Sequence, residues 1–195
     1  MPGYEVYPLG QLMDATKPEL LAQRLREFRC VRDTQLEQFI HEYATVYEKK
    51  GFGRTYLVFD ASAGSEATGE QIAAFFTLGI TATDYSGINR SRREKVLGSK
   101  PGRDTFNSFG GILIGQLARD DRYSPDFIDG EALLKECEAY IEMGRRYIGG
   151  RIVYLDCREA LVQTYRKSGY RPLADSPSEE GYYKMYKVLP DKAIA

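Results

Sequence analysis

The chain has no tryptophan, a single histidine and only three cysteines, and it carries no excess of charge of either sign. With His41 alone, there is no spaced partner for Cys157 in nucleophilic catalysis and no cluster of metal ligands, so serine, cysteine and metal chemistry find no support. His41 itself lies off the apolar face of its predicted helix beside Glu37, which reads as a solvated position. Cys30, Cys137 and Cys157 are odd in number and lack metal-type spacing, and two of them sit in apolar patterns. A reduced, cytoplasmic setting is the expectation. No apolar run approaches the roughly 18 residues of a membrane span, and the opening MPGYEVYPLG lacks a charged n-region followed by an apolar h-region, so neither export nor membrane anchoring is expected. The net charge of -1 and pI near 6.0 exclude a globally basic surface. Any nucleic-acid contact has to rest on a local patch.

What is present suits one core. At 195 residues, 43% hydrophobic and 28% charged, the chain is expected to form a single domain over 1–195, and it has no internal repeats. Tyr4 to Leu9 reads as a strand. Thr16-x-Pro18-Glu19 reads as a capping box opening a helix to about Phe28, and Thr34-x-x-Glu37 as a second one. That second helix would present Leu36, Phe39, Ile40, Tyr43 and Tyr47 on one face and end at Lys49, Lys50 and Gly51. Arg54 to Asp60 and Gln71 to Ile80 predict an antiparallel pair around the loop ASAGSEATG. A helix from near Gly130 would bury Leu133, Leu134, Cys137, Tyr140, Ile141 and Ile148, with Glu131 to Lys135 and Glu142 to Arg146 as spaced pairs, and stop at Gly149 and Gly150. Ile152 to Leu155 is apolar without alternation, as in a strand covered on both faces. A short helix from Cys157 to Ser168 and a closing strand GYYKMYKVL complete the order.

The most informative stretch runs from Ile112 to Leu173. ILIGQLA is an apolar strand, GEALL begins a helix after an irregular loop, and TYRKSGY follows the next strand. In these motifs, and in FRCVRDTQLEQFIHEYATVYEKKGFGRTYLVFD before them, the chain resembles the GNAT superfamily of acetyl-CoA-dependent N-acetyltransferases. The nearest branch is the one containing toxins that acetylate aminoacyl-tRNA. The resemblance covers roughly Cys30 to Leu189. It implies an α/β fold with a central mixed, mostly antiparallel sheet of about seven strands flanked by about four helices. It further implies N-acetyl transfer from acetyl-CoA to a primary amine on a small molecule, peptide or aminoacyl-tRNA, with a homodimer or an antitoxin-like partner as the associated assemblies. The chain departs from the family where the pattern Gln/Arg-x-x-Gly-x-Gly/Ala falls on Pro125, Ile128 and Gly130, of which only Gly130 conforms. A pyrophosphate loop degenerate in this way gives the alternative function, a GNAT-fold binding module without turnover.

Carried over by position, backbone around Leu117, Ala118 and Arg119 would face the acetyl and pantetheine portion, and amides of Asp129, Gly130, Glu131 and Ala132 the pyrophosphate. The alternative is that Leu117 is a core residue and Asp129 merely caps its helix. Between Arg119 and Glu131 stand Asp120, Asp121, Asp126, Asp129 and Glu131 against Arg119 and Arg122. A carboxylate ~4 Å from a phosphate costs ~1 kcal/mol in water and ~4 at an effective dielectric near 20, against a helix dipole contributing roughly 0.3 to 2. Cofactor binding therefore requires most of these carboxylates to turn outward, with Arg122 or another base compensating.

Tyr165 is the candidate catalytic residue, a phenol able to give its proton to a departing thiolate. Its alternative is a buried tyrosine packed on the sheet, since Leu161 lies four residues before it. No general base stands out; Asp60, Glu70 and Asp84 end strands. Arg90, Arg92, Arg93, Lys95, Lys100 and Arg103 face only Glu94 between 90 and 103, in what reads as a long connection. Such a run is either a solvated loop or, as the toxin branch implies for Arg90, Arg92 and Arg93, a surface that gathers tRNA or another anionic acceptor.

Overall fold

The computed structural model describes residues 3–61, 71–98 and 105–190. Glu70, Lys100, Arg103 and most of the ASAGSEATG loop lie outside them. In chain order the elements are β1 (Tyr4–Pro8), α1 (Leu9–Ala15), α2 (Pro18–Glu27), α3 (Thr34–Gln38), α4 (Ala44–Lys50), β2 (Arg54–Asp60), β3 (Ile72–Asp84) and α5 (Arg90–Leu97). Then follow β4 (Ser108–Arg119), α6 (Gly130–Ile148), β5 (Ile152–Arg158), α7 (Glu159–Lys167), β6 (Arg171–Pro172) and β7 (Tyr182–Val188). The strands form a seven-stranded mixed sheet in the order β1-β2-β3-β4-β5-β7-β6. Pairing is antiparallel for β1 with β2, β2 with β3, β5 with β7 and β6 with β7, and parallel for β4 with β5. This is the mixed, mostly antiparallel α/β sheet expected. No helix among the described residues is long and apolar enough to cross a membrane.

The chain divides into two compact units, Met1–Gly79 with Gly115–Ile141, and Ile80–Ile114 with Glu142–Ala195. In the first, Leu9, Leu21, Leu25, Phe28, Phe39, Ile40, Leu57 and Phe75 form the core. α6 buries Leu133, Leu134, Cys137 and Ile141, each buried Leu or Ile contributing about 1.5 to 3 kcal/mol. The Tyr140 ring lies 4.3 Å from that of Tyr56. The pair Glu131–Lys135 forms at 2.8 Å, as its spacing predicts.

Several local expectations are corrected. Thr16 caps no helix N-terminus; it ends α1, its amide reaching Leu12 O at 2.9 Å, and α2 starts at Pro18 with no side-chain cap. Asp33, not Thr34, caps α3, accepting the amides of Gln35 and Leu36, while Glu37 turns back to the Cys30 amide at 2.7 Å. Between α3 and α4 the residues Phe39–Tyr43 form one turn of π-helix, which holds one more residue than an α turn. Ala44 and Glu48 therefore take the inward positions that a straight helix gives to Tyr43 and Tyr47. Ala44 is 0% exposed, against 44% for Tyr43 and 43% for Tyr47. His41, in that turn, is half-buried with its ring nitrogen 2.9 Å from Phe28 O, rather than solvated. Gly51 ends α4 at φ 72°, the left-handed cap its position predicts.

In the second unit Tyr85, Val96, Leu97, Phe109, Ile152, Tyr154, Leu173 and Tyr186 form the core. Burial and the 2.6 Å bond between the hydroxyls of Tyr85 and Tyr154 push the Tyr85 phenol well above its ordinary range. At the end of α6, Arg145 rather than Arg146 pairs with Glu142, because its other nitrogen also reaches Pro190 O at 3.0 Å. Ile148, the last helical residue, is exposed. Gly149 and Gly150 follow at φ 73° and 104°. On β4, a Cβ at Gly111 would stand 2.4 Å from the Tyr154 ring and 2.7 Å from Ile152 O. Gly111→Ala is therefore expected to destabilise by about 3 kcal/mol, the upper part of the overpacking range, measurable as a lower urea midpoint; an unchanged midpoint would show that β5 yields freely at this point.

Candidate functional site

In the first unit, β4 leads out through half-buried Leu117, buried Ala118 and half-buried Arg119 into the 120–129 loop and then α6. Two acidic residues of this loop, Asp120 and Asp121, are held in place. Asp120 is 0% exposed and accepts the Arg29 amide at 2.9 Å, the Arg122 amide and Nε both at 2.8 Å, and Arg122 Nη2 at 2.7 Å. Burial alone would raise its carboxyl; the bonds from Arg122 and from the Arg29 amide outweigh it and hold the group below the usual carboxylate range. Asp121 accepts the Val31 amide and pairs with Arg32 at 3.0 Å. Two carboxylates are thus spent tying the loop to the chain at 29–32. Arg122 supplies the compensation required of it.

The loop closes on Ile128, 2% exposed. Where the family pattern places its first glycine stands a core side chain, so packing sets the loop, assisted by the Tyr123–Phe127 ring contact at 4.8 Å. Asp129 then caps α6. Its carboxylate accepts the Ala132 amide at 2.7 Å and its carbonyl the Leu133 amide at 3.0 Å. Of the amides assigned to a pyrophosphate, that of Ala132 is already engaged. Those of Gly130 and Glu131 open the helix, where no intrahelical acceptor exists, and a Cβ at Gly130 would meet nothing within 4 Å. The Arg119 side chain adds a cation here: Nη1 donates to Ile128 O at 3.0 Å, while its buried Nε has no partner. The donors at hand, two free helix amides and an under-used guanidinium, fit a phosphate.

In the second unit, Tyr165 lies half-buried in the last turn of α7, its ring edge-on to Tyr170 at 6.0 Å. Leu161 is 47% exposed, so the face shared by these two residues is not the one α7 buries; Val162 is. The expected loop around Arg90 is instead the helix α5. Asn89 caps it by accepting the Arg92 amide at 2.9 Å, and Val96 and Leu97 anchor its end. With no apolar residue among its first six, α5 lacks the periodicity that reveals a helix; Asn89 was the one available signal. Arg92 donates to Leu173 O and pairs with Asp175 at 2.7 Å, and Arg93 donates to Phe106 O at 2.6 Å. Arg90 is exposed.

No family model and no curated protein matches the sequence. Solved structures do. The chain is similar to a bacterial toxin, with a TM-score of 0.72 at 17% identity over 97% of this chain and 92% of that one. It is similar to a mutant of the AtaT toxin bound to the C-terminus of the antitoxin AtaR and acetyl-CoA, with a TM-score of 0.65 at 14% identity over 95% and 93% of the two chains. It is also similar to AtaT complexed with acetyl-methionyl-tRNAfMet, with a TM-score of 0.63 at 16% identity over 93% of each. At these identities the likeness establishes the fold, which is the GNAT-like fold of these toxins.

Proposed function

We propose that residues 1–195 act as a single GNAT-like domain in the cytoplasm, an N-acetyltransferase that moves an acetyl group from acetyl-CoA to a primary amine. The observation that carries this reading is the start of α6, where the Gly130 and Glu131 amides are open and Arg119, bonded to Ile128 O just before them, has an unpartnered Nε. The cofactor, when bound, supplies an acyl thioester. The amides of Gly130 and Glu131 and the Arg119 guanidinium would hold its phosphates, Asp129 releasing the Ala132 amide as a fourth donor. Backbone of Leu117 and Ala118 would line the pantetheine portion. Tyr165 Oη would hold the proton that the departing thiolate takes up. Arg90, Arg92 and Arg93 would gather the acceptor, with tRNA the extreme anionic case; Arg90 is the one of the three whose exposure fits this best. A second copy of the chain or an antitoxin-like protein is the proposed partner. The structures of toxins bound to acetyl-CoA, to the C-terminus of an antitoxin and to acetyl-methionyl-tRNAfMet support the cofactor, the antitoxin-like partner and the tRNA acceptor of this reading.

One observation favours a binding module without turnover: Asp129 occupies an amide that the phosphates would need. Calorimetry separates the two. Saturable acetyl-CoA binding is expected, weakened about tenfold or more by Arg119→Ala, since a bond to a charged group contributes about 1.5 to 3 kcal/mol. No heat and no thermal stabilisation at millimolar acetyl-CoA would leave the binding module as the function.

A further inference from the structure

Within the second unit, an open concavity of about 940 Å³ is bordered by the N-terminus of α5, the C-terminal turn of α7 and β6. Arg92, Lys95, Arg166 and Arg171 line it, and Asp175 is its one acid. The four cations come from segments far apart in sequence, so the linear basic run at 90–103 shows only two of them. Arg93 turns away toward Phe106. Lys95, Arg166 and Arg171 make no ion pair among the described residues. Arg92 is held by the Leu173 carbonyl and by the Asp175 carboxylate, whose side chain is 84% exposed.

Such an arrangement is unfavourable by itself. Like charges converge, and the basic first turn of α5 lies at the positive end of the helix dipole, with no acidic residue there to balance it. An anion in the concavity removes both costs. We propose that the concavity is a phosphate-binding subsite in which the Asp175 carboxylate stands in for the ligand. A tetrahedral, multiply charged phosphate offers oxygens to several guanidinium groups at once, as one carboxylate does not. The ion pair it displaces is weak, because its acid is largely in water. The rings of Tyr170 and Tyr186 at this site are 1% and 6% exposed, which leaves no face for a base to stack on. The subsite therefore reads phosphate and not base. The subsite stands whether or not the chain transfers acetyl groups.

The test is calorimetric titration of the full chain with inorganic pyrophosphate in the absence of acetyl-CoA. Saturable binding is expected, weakened about tenfold or more in the double variant Arg166→Gln with Arg171→Gln. Asp175→Asn, which removes the competing charge, should tighten it. Equal melting temperatures show that the surface changes leave the fold intact. Absence of saturable binding in both the natural chain and Asp175→Asn overturns the proposal. So does an affinity indifferent to Arg166 and Arg171, an unchanged affinity in Asp175→Asn, or a loss that appears with Arg119→Ala instead. A short single-stranded RNA distinguishes the source of the phosphate. If it binds with a steep salt dependence and pyrophosphate displaces it, the phosphate belongs to a nucleic-acid backbone; if it binds no tighter than pyrophosphate, the ligand is a small phosphorylated molecule.

Discussion

Exchange of Tyr165 for Phe is expected to lower kcat for acetyl transfer by about 10²-fold or more, with the melting temperature and the acetyl-CoA affinity unchanged. The change removes one oxygen and keeps the ring, so the edge-on packing against Tyr170 survives. α7 keeps its own anchor in Val162. The turn after the helix is fixed by backbone, the amides of Ser168 and Tyr170 both donating to Tyr165 O, and it does not depend on the hydroxyl. A rate equal to that of the natural chain would return Tyr165 to a packing role. A collapsed melting temperature would show that its hydroxyl serves the core.

A loss of stability as large as that of Gly111→Ala is expected of Asp120→Asn. The carboxylate accepts four bonds, and every donor facing it is an N–H. An amide in its place turns one acceptor into a donor, so whichever way it is flipped, two N–H groups meet an N–H. Breaking a buried pair costs 3 to 5 kcal/mol, and because the Arg122 side chain is 37% exposed, the lower end applies. A loss of about 3 kcal/mol corresponds to a melting temperature lower by roughly 6 to 12 °C. The sign of the pH dependence is set by the depressed carboxyl. A group whose folded pKa lies below its unfolded value stabilises fully above that unfolded value, ordinarily 3.8, and the contribution disappears as pH falls through the lower folded value. The difference in stability between the natural chain and the variant should thus be constant near neutrality and shrink only below about pH 4. A gap that is small at neutral pH would mean that water replaces the carboxylate at no cost.

The sheet was legible in the sequence because its strands advertise themselves. Ile152 to Leu155 is apolar throughout and is buried throughout, and Arg54 to Asp60 pairs with β3 as its β-branched and aromatic content predicts. α6 was legible for the same reason, its apolar stripe and glycine stop being local features. Caps were less so, because Thr16, Thr34 and Asp33 are all adequate capping residues and tertiary contacts chose among them. Charges were least legible. Asp120 and Asp121 read as repulsive to a cofactor until their partners at residues 29 to 32 and 122 were known, and these include residues about ninety positions away. The four cations around the concavity of the second unit are likewise united by folding alone.

The π turn at Phe39–Tyr43 bears on how this chain tolerates changes in length. Ala44 donates to Phe39 O, five residues back, where an ordinary helix would reach four. The helix is one residue longer than its own geometry needs, and the surplus is stored in a single turn while the flanks stay in register. At its start Phe39 and Ile40 face the core; after it Ala44 does. A residue added in a straight helix rotates everything beyond it by about 100°, and a π turn takes up that rotation locally. The turn also carries the imidazole of His41, whose ring nitrogen lies 2.9 Å from Phe28 O at the end of the neighbouring helix. Two chains of unequal length can therefore share this fold without any difference in what either end of the helix touches.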